Sequence, residues 1–255
     1  MAGYLTSERL RDIEVRLARE GRVVAAELAR AYATSEDTIR RDLRTLAAAG
    51  RCRRVYGGAL PASPATGPVS ARTRLRPAAK AALGAALARL VEPGMTVFID
   101  AGSTTLACAE RLEATGVTVV THAPAIAAAL VERPGLRLVT LGGQVDPEVG
   151  AALGPAVLAA LETLRPDLLL LGACGVDAAA GITARFADDA AVKRLVAARS
   201  RRVAVAADRS KLGTAAPFDV IALAACDTLV IEAGTDPAAS RHLAAAGPVI
   251  IEVGV

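Results

Sequence analysis

Apolar residues recur at helical spacing three times within the first fifty positions. Leu10, Ile13 and Leu17 share one face of a segment running from Thr6, a capping residue, to about Glu20, with Gly21 ending it. Val23 and Val24 form a short extended link, and Ala25 to Tyr32 makes a second helix with Leu28 inward. The third segment, Ser35 to Gly50, is marked at both ends. Ser35 is a good N-cap, Glu36 and Asp37 place negative charge in the first turn, and Gly50 occupies the left-handed C-terminal position. Ile39, Leu43, Leu46 and Ala47 fall on one buried face. The opposite side carries Asp37, Arg41 and Arg44, with Thr38 and Arg40 on its flanks. Cys52 to Tyr56 then alternates like a strand until Gly57-Gly58 breaks it. Two short helices joined by a tight turn at Ala33-Thr34-Ser35, the second one basic, predict a helix-turn-helix, and the basic strand predicts its wing.

From Ala78 onward the pattern changes. Ala/Leu-rich helical segments alternate with β-branched and Leu runs at Thr96–Ile99, Val117–Thr121, Arg137–Leu141, Leu168–Leu171, Arg202–Ala206, Thr228–Ile231 and Val249–Glu252. Apolar strands separated by helices predict an α/β domain with a largely parallel sheet covered by helices on both faces. The expected organisation is a winged helix-turn-helix over 1–58, a Pro-rich linker over 59–76 and an α/β domain over 77–255. Arg72, Arg74 and Arg76 make that linker basic, and a solvated linker is the expectation.

Composition sharpens this division. The chain is 53% hydrophobic but only 2% aromatic, so its core must be aliphatic. Its net charge of +4 is carried entirely by residues 1–60, which hold 12 Arg, no Lys and 8 acids. A polyanion is therefore the expected partner of the first domain. Arginine outnumbers lysine 27 to 3, which makes Lys80, Lys193 and Lys211 the informative cations. Cys52, Cys108, Cys174 and Cys226 are far apart and form no CxxC pair, so neither disulfides, a metal site nor a cofactor is expected. No signal peptide or spanning segment is legible, and a cytoplasmic protein without a membrane partner is the expectation.

Ligands of parallel sheets bind beyond the carboxyl ends of the strands, and the polar clusters of the second half fall there. Asp100-Ala101-Gly102-Ser103-Thr104-Thr105 follows one strand and opens a helix, offering backbone N–H groups and three hydroxyls to an anion. It lacks the G-K-[ST] of a Walker loop and the spacing of a dinucleotide motif. Thr121-His122-Ala123, Gly142-Gly143, Gly172 to Asp177 and Asp208 to Lys211 each follow a further strand, and Lys193 lies between the last two.

These residues carry a resemblance to the DeoR family of bacterial transcriptional regulators. V-A-A-E-L-A (24–29), S-E-D-T-I-R-R-D-L (35–43), L-A-A-A-G (46–50) and R-R-V-Y-G-G-A (53–59) resemble its winged helix. K-A-A-L-G (80–84), V-E-P-G-M-T-V-F-I-D-A-G-S-T-T (91–105), V-V-T-H (119–122), L-G-G (141–143), G-A-C-G-V-D (172–177), V-K-R (192–194) and A-D-R-S-K-L-G (207–213) resemble its effector half, a relative of ribose-5-phosphate isomerase. The resemblance implies a repressor of carbohydrate metabolism, acting as a homo-oligomer, dimer or tetramer, on double-stranded operator DNA. Ser35, Thr38, Arg40, Arg41 and Arg44 would engage DNA, with Arg53, Arg54 and Tyr56 on flanking phosphates. A phosphorylated sugar or related metabolite would be held by Asp100, Gly102, Ser103, Thr104, Thr105 and Lys211, with His122, Gly142, Gly143, Asp177 and Lys193 on the same rim.

Three positions depart from the family pattern: His122 replaces an amide, Cys174 an aspartate, and Asp188-Asp189 stand where glutamate is usual. In the related isomerases the aspartate replaced by Cys174 belongs to the catalytic set, so its loss argues against an enzyme. The rival reading is a sugar-phosphate isomerase with an accessory DNA-binding domain, which would turn over its ligand. A nucleoid-type binder would show no sequence preference.

Overall fold

The structure is a computed structural model that describes residues 6–20, 23–49, 51–55, 57–61 and 67–255. The chain divides into two compact units, Met1–Thr66 and Gly67–Val255. The first contains α1 (Thr6–Glu20), β1 (Val23–Val24), α2 (Ala25–Ala31), α3 (Glu36–Ala48), β2 (Cys52–Val55) and β3 (Gly58–Pro61). Ser35 caps α3, accepting a hydrogen bond from the Thr38 backbone N–H at 3.1 Å. Ile13, Leu17, Leu28, Ile39, Leu43 and Leu46 pack into one core, as their helical spacing requires. The three strands form an antiparallel sheet in the order β1-β3-β2. Ala59 pairs with both Val23 and Arg54, so the wing continues past residue 58 into the segment expected to be linker. Gly-Ala-Leu-Pro did not read as a strand because Gly and Pro at its two ends are poor strand residues and leave only two between them. The expected turn at Gly50 and the side chain of Tyr56 lie outside the described residues.

The second unit opens with α4 (Val69–Thr73), also within the expected linker, and α5 (Pro77–Ala88). Then follow β4 (Thr96–Ile99), α6 (Ser103–Ala109), β5 (Val117–Thr121), α7 (Pro124–Leu130), β6 (Leu136–Thr140), β7 (Gln144–Asp146), β8 (Ala151–Leu153) and α8 (Pro155–Glu162). The chain continues through β9 (Leu168–Leu171), β10 (Gly175–Asp177), β11 (Gly181–Ala184), α9 (Ala187–Arg199) and β12 (Val203–Ala207). It closes with β13 (Phe218–Ile221), β14 (Thr228–Glu232), α10 (Pro237–Ala245) and β15 (Val249–Val253). All seven strand segments expected from the sequence pair in one parallel sheet, ordered β15-β14-β12-β9-β4-β5-β6. Alternate residues feed separate cores on its two faces: Phe98, Leu169 and Leu171 enter one, Val97, Ile99, Leu168 and Leu170 the other. This double burial is why β9 reads Leu-Leu-Leu-Leu. The antiparallel sheet β10-β11-β13 and the hairpin β7-β8 were not expected, because their short segments are interrupted by Gly, Asp or Gln or are merely Ala-rich, and lack the apolar β-branched or Leu runs of the parallel strands.

Strand order reverses between β4 and β9. From β4 the chain winds outward through β5 and β6; from β9 it winds the other way through β12, β14 and β15. Their helices diverge there, and the crevice left at the carboxyl ends is where such folds take ligands. Asp100 closes β4 and Gly172 closes β9 at this point.

Candidate functional sites: a recognition helix and a rim of buried charge

In the first unit α3 presents the expected face. Arg40, Arg41 and Arg44 are exposed, the Arg41 side chain to 75%. Arg40 pairs with Glu36 at 3.0 Å and Arg41 with Asp37 at 3.8 Å. Such solvated pairs contribute little, so phosphate or base edges can replace the carboxylates at small cost. The hydroxyls of Ser35 and Thr38 lie 2.9 Å apart at the helix start. Arg54 is exposed on β2, the strand that also carries Arg53. Asp42 received no role from the sequence, yet it is buried and takes two bonds from Arg9 of α1, at 2.6 and 3.2 Å. Its place between Ile39 and Leu46, on the apolar face, was the legible signal.

In the second unit the rim is organised by Asp100, which is fully buried. Its Oδ2 accepts from the Gly172 backbone N–H at 2.8 Å and from the Lys193 ammonium, while Oδ1 faces His122 Nε2 at 3.0 Å. Gly172 is required here, since a Cβ would stand 2.5 Å from the Ala101 carbonyl and 2.9 Å from Asp100 Oδ2. His122 spans the crevice, donating from Nδ1 to the Ala152 carbonyl at 2.9 Å. Lys193 also faces Asp189 Oδ1 at 3.0 Å, off the axis of a directed hydrogen bond, so that contact is an ion pair. Burial alone would raise Asp100; the Lys193 charge and the His122 contacts outweigh it and hold the carboxyl well below its ordinary range. Burial would likewise lower Lys193, but Asp100 and Asp189 hold its pKa above the usual value. Asp189 is pushed upward, chiefly by burial.

Lys211 and Lys80 have a different environment. Lys211 follows β12 in a single 3-10 turn and donates to the Ala173 carbonyl at 2.7 Å. Lys80, from α5, donates to the Arg72 carbonyl. Both are at least nine-tenths buried, and among the described residues neither has a carboxylate in ion-pair contact. Asp208 attracts both, but its carboxylate faces Arg76 at 3.5 Å. Burial, then repulsion from Lys211, brings Lys80 down to about 8; burial also lowers Lys211. All three lysines of the chain are thus buried within this unit, Lys193 paired and the other two not.

The remaining expected residues are distributed around this rim. Ser103, Thr104 and Thr105 are buried at the start of α6; Thr105 donates to the Gly102 carbonyl at 3.0 Å, and the buried Thr104 hydroxyl has no partner among the described residues. Gly142 and Gly143 line a cavity of about 320 Å³ with Thr121, His122 and Ala152. Asp177 is turned to a local task, accepting from the Ala179 and Ala180 backbone N–H groups at 2.9 Å each. Arg72 and Arg76, expected to be solvated, bond instead within the second unit: Arg72 to the Glu148 and Val149 carbonyls, Arg76 to Glu232 at 2.7 Å. Lys80, Arg72, Arg76, Asp189 and Gly172 were not among the expected site residues. The scarcity of lysine was the signal for the first; the others depend on contacts distant in sequence.

A basic helix-turn-helix unit joined to a parallel-sheet unit with a charged crevice at its switch point defines a DNA-binding regulator with a small-molecule sensor domain. Family comparison agrees. The description "DeoR-like helix-turn-helix domain" matches residues 9–64 and "DeoR C terminal sensor domain" matches residues 76–233. The chain belongs to the DeoR family of transcriptional regulators. It is 30% identical to a putative aga operon transcriptional repressor of Escherichia coli O157:H7, over 98% of this chain and 94% of that one. It is 34% identical to the transcriptional regulator YgbI of Escherichia coli K12, over 92% and 93%. The glycerol-3-phosphate regulon repressor of the same strain is 29% identical over 84% and 86%. Ribose 5-phosphate isomerase A from Neisseria gonorrhoeae aligns over 52% of each chain at 18% identity, with a TM-score of 0.38. Among the described residues no helix is long and apolar enough to cross a membrane.

Proposed function

We propose that the protein is a cytoplasmic repressor of carbohydrate genes, released from or directed to its operator by a phosphorylated sugar or related phosphorylated metabolite. One observation carries the effector class: Lys211 and Lys80 are buried ammonium groups without a carboxylate in contact among the described residues. A buried cation is costly unless an anion offsets it, and a compact dianion reached from two sides suits two lysines. The unpartnered Thr104 hydroxyl and the buried Ser103 supply further hydrogen bonds. In this reading Asp100, His122 and Lys193 hold the crevice in shape, while Gly102 to Thr105, Lys211 and Lys80 contact the phosphate. Gly142 and Gly143 border the space left for the rest of the molecule, and Asp177 fixes the neighbouring turn. A relative named for a glycerol-3-phosphate regulon fits a phosphorylated carbon compound. Arg40, Arg41, Arg44, Ser35 and Thr38 read the operator, with Arg53, Arg54 and Tyr56 on its backbone. One recognition helix makes few base contacts, so a homo-oligomer on repeated half-sites is expected.

No turnover is expected, because Cys174 gives this rim a thiol where an isomerase needs a carboxylate base. The test is a panel of sugars, each in phosphorylated and unphosphorylated form, titrated into the full-length protein bound to an operator selected from random DNA. Only phosphorylated members should change the anisotropy of the labelled operator, and none should be isomerised by NMR. Equal response to the unphosphorylated sugars would refute the phosphate assignment; isomerisation would restore the enzyme reading.

A further inference from the structure

The first ten residues of the sensor unit, 67–76, lead out of the DNA-binding unit and are thinly attached. No residue of α4 is buried. The segment is held by polar bonds instead: Arg72 to the Gly67, Glu148 and Val149 carbonyls, and Arg76 to Glu232 and Asp208. Arg76 itself has a left-handed backbone, φ 51°, which a non-glycine residue keeps only when its surroundings enforce it. The carbonyl of Arg72 lies in the last turn of α4. It accepts from the Leu75 backbone N–H at 3.1 Å and from the Lys80 ammonium. Lys80 is thus the cation at the C-terminus of this short helix, where a positive charge stabilises the last carbonyls.

The same ammonium is one of the two buried cations that lack a carboxylate. Lys211, Arg72 and Arg76 all repel it. An ammonium has three donors, so Lys80 can hold the Arg72 carbonyl and a second acceptor together. An anion bridging Lys211 and Lys80 would offset the repulsion between the two buried ammonium groups and pin the Lys80 ammonium where it meets the Arg72 carbonyl. We infer that Lys80 is the coupling group of this protein: an anion held by Lys211 and Lys80 tightens Lys80 on the Arg72 carbonyl and so clamps the connector 67–76 onto the sensor. This rests on the phosphate reading above. It adds a route by which occupancy reaches the segment that carries α4 and leads into α5, with no rearrangement of the sheet required. A ligand that makes no such differential contact would shift nothing.

Hydrogen exchange on the full chain, with and without saturating inorganic phosphate, tests the clamp, with phosphate binding followed in parallel by calorimetry. Phosphate should slow exchange at the Arg72, Arg74 and Leu75 amides of the parent protein. Lys80→Met should weaken phosphate binding about tenfold or more, the loss of one hydrogen bond to a charged group, and abolish the slowing even at saturation. Lys80→Arg should restore part of it. If phosphate binds the parent, and binding is lost in Lys211→Met, yet exchange over 69–76 is unchanged or faster, the clamp is wrong and the anion site stands. If phosphate does not bind saturably at all, the anion site and the clamp fall together.

Discussion

Lys193→Met replaces the buried ammonium between Asp100 and Asp189 with an apolar side chain of similar length. The exposures of the three side chains, 3% for Lys193, 0% for Asp100 and 5% for Asp189, leave little solvent to take over its role. Removing one partner of a buried ion pair costs about 3–5 kcal/mol, because the other charge stays buried. For a unit of this size, at ~2–4 °C per kcal/mol, the sensor transition should fall by roughly 6–20 °C in scanning calorimetry of the full chain. The pH dependence carries the diagnostic sign. In the parent, Asp100 is depressed, so its contribution is present above the unfolded carboxyl range and fades as pH falls towards the native value. In the variant, burial acts unopposed by Lys193 on both carboxyls and raises them. The penalty is then full above the raised values and shrinks on acidification, so the gap to the parent should be smaller at pH 5 than at pH 8. A variant within about 1 kcal/mol of the parent, with a gap independent of pH, would show that Lys193 does not neutralise this cluster and is available to a ligand instead.

Arg41→Ala should weaken operator binding by about 1–3 kcal/mol if the exposed guanidinium makes a bidentate base contact, whereas Leu43→Ala, on the buried face of α3, should cost roughly 2–5 kcal/mol of stability; normal operator affinity in a folded Arg41→Ala protein would dismiss the groove-facing assignment. Gly172→Ala drives a Cβ to 2.5 Å from the Ala101 carbonyl, so it should displace Asp100 and lower the sensor transition, while Gly142→Ala, which meets nothing within 4 Å, should not; equal melting of the two variants would contradict the close approach of β4 and β9. Because the Lys80 pKa is lowered to about 8, its buried charge disfavours the folded state fully below that pH, and the penalty disappears as pH rises from about 8 towards 10.5. Phosphate affinity should fall over the same interval, and calorimetry showing constant affinity between pH 7 and pH 10 would remove Lys80 from the site.

Local pattern determined much of this protein. Helical spacing placed Ile39, Leu43 and Leu46 inward and Arg41 outward, because one helix's periodicity separates its faces without reference to anything else. The inner strands β4, β5, β9, β12 and β14 were legible because both faces of the sheet are buried there and the runs are largely apolar, while the more exposed edge strands β6 and β15 were legible by their Val, Ile and Leu content. Family resemblance brought the strand-end clusters together in name. Tertiary structure alone decided which charges are engaged. Nothing local distinguishes Lys193, paired with Asp100 across 93 positions, from Lys211, which donates to the Ala173 carbonyl. Arg72 and Arg76 read as a solvated basic linker because their acceptors, Val149 and Glu232, are far along the chain. Asp42 and Arg9 likewise meet only when α3 folds onto α1. Hydrophobic burial follows a residue's own period, but the partner of a buried charge is set by where distant strands end, and that is fixed only when the sheet has formed.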